Sequence, residues 1–79
     1  MPRIITRKHF EVLSAVCAGA QIKTDQDTAR MLHCNMLIAD GPMWERDGED
    51  ASGRPVGWLT ADPTDYGLAL VARRQSCAA

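Results

Sequence analysis

The sequence lacks any run long and apolar enough to cross a membrane, because charged residues interrupt its apolar segments throughout. Its opening residues, MPRIITRKHFEVL, mix charge with apolar side chains as secretory leaders do not, so no leader is expected. Cysteine is scarce and odd in number, at Cys17, Cys34 and Cys77. Such wide spacing does not make a disulfide framework and predicts a reducing, cytoplasmic setting. Cys17 and Cys34 fall in apolar runs and read as core residues, whereas Cys77 reads as an exposed thiol in a small-residue tail.

Metal-ligand spacing is missing too. There is no C-x-x-C or H-x-x-x-H pair, and the adjacent His33 and Cys34 would leave a helix on different sides. His9 and Cys17 have no partner at ligand spacing. No Gly-rich phosphate loop is present. A Cys–His nucleophile needs an exposed thiol beside an oriented histidine, and both internal cysteines read as inward. The acidic residues gather in a Gly-rich loop, a poor mount for a fixed acid–base pair. The sequence therefore predicts no enzyme, no metal and no cofactor. Nor does charge of one sign dominate: nine Lys and Arg against ten Asp and Glu leave −1, with no general pull towards nucleic acid or anionic lipid.

What is there suits one small domain spanning residues 1–79. A chain this short has a modest core and a net stability of roughly 3 to 5 kcal/mol. Its apolar fraction of 46% is ordinary for a folded protein. Residues 1–5 read as a flexible arm and 75–79 as a fraying tail. A first helix is expected over 7–18, with Thr6 as N-cap, Gly19 just past its end, and Phe10, Leu13, Val16 and Cys17 as one apolar stripe. Ile22 should tuck into the core from a short connection. A second helix is expected over 24–38, capped by Thr24, with Asp25 and Asp27 favoured by the helix dipole. On it, Ala29, Leu32, Cys34, Met36 and Leu37 read as inward, and Thr28, Arg30, His33 and Asn35 as outward.

Asp40-Gly41-Pro42 stops that helix, and a β-hairpin follows over about 43–59. Its strands are Met43 to Arg46 and Pro55 to Leu59, joined by the mobile loop DGEDASGR. Each strand carries a tryptophan, Trp44 or Trp58, and at least one ring should cover the core. A last helix is expected over 63–74, with Asp62 as N-cap, Pro63 in its first position, and Tyr66, Leu70 and Val71, with Leu68 beside them, facing inward.

The succession helix, helix, hairpin, helix resembles a winged-helix domain, an α+β fold. The likeness is most specific over Arg30 to Leu59, RMLHCNMLIADGPMWERDGEDASGRPVGWL. That stretch is similar to the recognition-helix and wing segment of multiple-antibiotic-resistance-type (MarR-type) regulators. Leu59-Thr60 and Gly67-Leu68-Ala69-Leu70 stand where those proteins open their closing helix. The chain departs from the pattern in two ways. It has room for one helix where the family has two, and ADPTDY delays the closing helix. The resemblance implies DNA binding, with Lys23, Gln26, Arg30, His33 and Arg54 as the contacts.

Charge points to another partner. Residues 24–54, the second helix and the wing, carry seven carboxylates against three arginines, a net of −4; the rest carries six cations against three anions, a net of +3. DNA affinity comes largely from phosphate neutralisation, so an acidic reading face opposes it. An acidic wing beside an acidic helix start fits a protein with a basic surface, including one whose groove handles nucleic acid. Small proteins of phages and mobile elements, anti-CRISPR proteins among them, inhibit host complexes in this way. The expected contacts are Trp44, Asp47, Glu49, Asp50 and Arg54, with Asp25 and Asp27 nearby.

Overall fold

The computed structural model describes residues 6–77, with the side chains of 75–77 excepted. The expectations for the 1–5 arm, the Cys77 thiol and the last two residues lie outside the described residues. Three helices and a three-stranded antiparallel sheet follow one another as α1 (Arg7–Cys17), β1 (Ile22–Asp25), α2 (Gln26–Cys34), β2 (Met43–Glu49), β3 (Pro55–Thr60) and α3 (Asp65–Cys77). The sheet order is β1-β3-β2. The helices lie on one side of it: α1 packs on α2, α3 and β1, and α2 on β1 and β3. The small α+β architecture, the hairpin and the three helices agree with the sequence reading.

Helix α1 forms as expected. Thr6 caps it, its hydroxyl accepting from the His9 N–H at 3.3 Å while the His9 ring accepts from the Thr6 N–H at 3.2 Å. Gly19, at φ +79°, takes the left-handed conformation that ends the helix. Leu13 and Val16 are buried with Val12, and Phe10 and Cys17 pack on that cluster from its margin. Burial pushes the Cys17 thiol pKa up.

The second helix differs from its expectation at both ends. Thr24 and Asp25 are strand residues, because β1 pairs with β3 in the register Ile22↔Leu59, Lys23↔Trp58, Thr24↔Gly57 and Asp25↔Val56. Only the distant strand could reveal that pairing. The cap is therefore Asp25, not Thr24, and it accepts from the Thr28 N–H at 3.1 Å. The outward assignment of Thr28 is also corrected, since its buried hydroxyl donates to Asp25 at 2.7 Å. At its far end the helix stops at Cys34. Met36 sits at φ +60°, and the Leu37 N–H reaches back to the Leu32 carbonyl at 2.9 Å. This early turn swings Leu37 and Ile38 into the core, where each is 1% exposed, and leaves Met36 at 71%. Met36 and Cys34, expected inward, both face out. Asn35 is half-buried and turns its amide back to the Met31 carbonyl.

Residues after that turn run beside the entry to α3. The Ala39 N–H donates to the Asp62 carbonyl at 2.8 Å, and Ile38 bridges Pro63. Pro63 is thus outside the helix. Thr64 is the capping side chain in place of Asp62, accepting from the Gly67 N–H at 3.0 Å and donating to the Met36 carbonyl at 2.6 Å. The two-residue shift turns Tyr66 and Leu68 outward, 58% and 43% exposed, and brings Gly67 and Val71 inward. The helical backbone runs on to Cys77, past the expected end at 74. Arg74 lies 4.6 Å from the Phe10 ring centre and ties α3 to α1.

A candidate interaction surface on the hairpin and second helix

The hairpin has two unlike faces. On the helix side, Ile22, Leu59 and Trp44 form one cross-strand row. Trp44 is half-buried and packs on the core, and its indole N–H crosses β3 to donate to the Thr24 carbonyl at 2.9 Å. Gly57 lies between those strands, where a Cβ would come within 2.2 Å of the Glu45 carbonyl oxygen. Only glycine lets β2 approach β3 this closely. On the outer side, alternation places Lys23, Trp58 and Glu45 in the next row.

The expected contact residues divide between these faces. Two open hollows lie between α2 and the hairpin. One is lined by Asp25, Gln26, Asp27, Arg54 and Pro55, the other by residues that include Gln26, Arg30, His33, Pro42 and Trp44. Of the DNA-type set, the structure places Gln26 beside Arg54 in the first hollow and beside Arg30 and His33 in the second, but Lys23 lies on the opposite face. Asp47 also belongs to the outer face. Glu49 and Asp50 lie at the hairpin end, where strand β2 extends farther and leaves a shorter turn than expected.

Several of these side chains already have structural work. Asp25 is buried, and its carboxylate accepts from Lys8 at 2.6 Å as well as from Thr28. Burial alone would raise its pKa; the Lys8 ammonium and the Thr28 hydroxyl and N–H outweigh that and hold it well below the usual carboxylate range. Asp25 is thus a helix cap withdrawn from the contact surface. Asp50 builds the hairpin turn: one carboxylate oxygen accepts from the Ser52 hydroxyl at 2.7 Å, the Ser52 N–H at 2.9 Å and the Arg54 N–H at 3.0 Å. Those bonds, led by the Ser52 hydroxyl, lower its pKa.

Most cations here face a carboxylate. Arg30 pairs with Asp27 at 3.1 Å, His33 with Asp40 at 2.8 Å, Arg46 with Glu49 at 3.1 Å and Lys23 with Asp47 at 3.6 Å. Arg54 has no ion pair within 4 Å among the described residues, and neither does Glu45. Sequence reasoning passed over Glu45 and Trp58. Alternation with Trp44 is the available signal for Glu45. Which tryptophan faces outward depends on register, and β1 was missing from that reading.

Among the described residues, no three His, Cys, Asp or Glu side chains converge on a metal-sized site, and no helix is long and apolar enough to cross a membrane. The chain matches no family model, no curated protein and no solved structure.

Proposed function

We propose that this chain is a non-catalytic, winged-helix-like binding domain whose partner is a protein with a basic surface. In this reading it inhibits by occupying a surface that would otherwise meet nucleic acid. The carrying observation is the state of its cations. Between Lys23 and Arg54 all but Arg54 face a carboxylate at 4 Å or less, while Glu45 has no counter-ion among the described residues. A phosphate backbone would have to break those pairs and would still meet a net charge of −4 over residues 24–54. A cationic protein surface meets Glu45, which has no ion pair to give up among the described residues, and a net charge of the opposite sign. The order α1-β1-α2-β2-β3-α3, with β1 closing the hairpin into a three-stranded sheet, supports the winged-helix likeness.

The second reading is a small DNA-binding regulator. It is favoured by two hollows that meet at Gln26, one lined by Arg54 and the other by Arg30 and His33. One experiment separates the two. Duplex DNA and cell extract are each passed over the immobilised protein, alongside a Glu45→Lys/Glu49→Lys variant. These positions are exposed, whereas Asp50 holds the turn and would confuse folding with binding. The protein-partner reading expects a basic protein retained by wild type, released by salt and lost in the variant. Retention of duplex DNA, strengthened in the variant, would overturn it.

A further inference from the structure

The outer face of the sheet is uncovered among the described residues and has Trp58 at its centre. This large ring is left 39% exposed, with Met43 at 68% on the same side. In the cross-strand row it has Lys23 on one flank and Glu45 on the other. Its orientation is fixed, because the indole N–H donates to Asp47 at 2.8 Å. The ring is already visited by a cation. The Lys23 ammonium stands 5.7 Å from its centre, within cation–π range, and 3.6 Å from the same Asp47 carboxylate. The molecule thus supplies its own ammonium to an aromatic ring edged by two carboxylates, and Glu45 still has no counter-ion among the described residues.

We propose that this face is the docking site for an arginine-bearing basic segment of the partner protein, with Lys23 as an internal competitor that the arginine displaces. The proposal rests on the basic-partner reading above and adds the place and the recognised side chain. Charge complementarity selects the occupant, since Glu45 in the row and Asp47 at the indole N–H set two carboxylates beside the ring against one lysine. Geometry selects arginine over lysine. A flat guanidinium can stack on the indole and direct N–H groups to a carboxylate at its edge, whereas an ammonium is a point charge with stronger hydration. The 3.6 Å separation of Lys23 from Asp47 is longer than a close charge-assisted hydrogen bond, so the resident lysine is a replaceable ligand.

The two tryptophans provide the test. With nitrogen-15-labelled full chain, the Trp44 and Trp58 indole N–H resonances report the two faces separately. Titration with a hexa-arginine peptide should move Trp58 and leave Trp44 in place. Hexa-lysine should bind more weakly, and Trp58→Leu should abolish the peptide-induced shifts of the neighbouring Lys23 and Glu45 backbone amides, which that variant keeps, with the Trp44 indole signal at its wild-type position showing that the fold survives. Lys23→Ala should tighten hexa-arginine binding by about two- to fivefold, the value of an exposed cation–π contact. Weaker or unchanged binding in Lys23→Ala would overturn the proposal, as would no binding of the peptide to wild type. If the peptide binds but shifts only residues 49–54, the docking site is wrong while the basic-partner reading stands. If duplex DNA moves Trp58 and the peptide does not, both are wrong.

Discussion

Replacing Gly67 with alanine sets two physical effects of opposite sign against each other. Gly67 lies inside α3, where alanine is the better helix former by about 1 kcal/mol. From propensity alone, Gly67→Ala should stabilise the protein. The tertiary structure reverses the sign. A Cβ at this position would lie 2.2 Å from the Leu37 carbonyl oxygen, 3.1 Å from its carbon and 3.3 Å from a Leu13 methyl. The methyl could yield, but the carbonyl accepts from the Thr64 N–H, and the Leu37 N–H is bonded to Leu32. Leu37 itself is 1% exposed. Relief therefore requires α3 to move away from the turn after α2, an overpacking penalty of about 1 to 3 kcal/mol, with larger values where backbone must shift. Set against the helix gain, the expected net change is a loss of up to about 2 kcal/mol, or up to roughly 15 °C in midpoint for a domain this size. Thermal unfolding followed by circular dichroism measures it. Ala72→Gly, on an exposed position of the same helix, calibrates the propensity effect and should lower stability by about 1 kcal/mol. A higher midpoint for Gly67→Ala would show that α3 does not seat on Leu37 and would refute this packing.

Met36→Gly carries the converse logic. Its φ of +60° suits glycine and its side chain is exposed, so urea unfolding should show a gain of about 0.5 to 1 kcal/mol; a loss would mean that residues 35–38 continue the helix. Asp25 should give the protein an acid-sensitive step. Its folded pKa is depressed, so its contribution is complete above the unfolded carboxylate value of about 4 and falls away as pH drops below it. Urea midpoints measured from pH 6 downward should show that loss, and Asp25→Asn, which keeps the cap but not the charge, should flatten the curve. Trp44→Phe retains much of the ring and removes the bond to the Thr24 carbonyl, with an expected cost of about 1 kcal/mol. An unchanged urea midpoint in that variant would place the Trp44 indole N–H in solvent.

Local chemistry alone located much of this protein. Thr6 and Gly19 bound α1, and Pro42 with the polar run after Arg46 marks the hairpin, because capping, left-handed glycine and turn formation act within a few residues. The concentration of acid over residues 24–54 is likewise a property of the sequence. Pairings between distant segments decided the rest. Strand β1 exists because Ile22–Asp25 finds β3, which makes Asp25 rather than Thr24 the helix cap. Helix α2 stops at Cys34 because burying Leu37 and Ile38 beside residues 62–64 outweighs further helical turns, at the cost of a left-handed methionine. The register of β2 on β3 turns Trp44 to the core and Trp58 to the open face, beneath Lys23 and against Asp47. Neither tryptophan's neighbours in sequence distinguish those fates, since a strand's two faces differ only in what the remainder of the chain places against them.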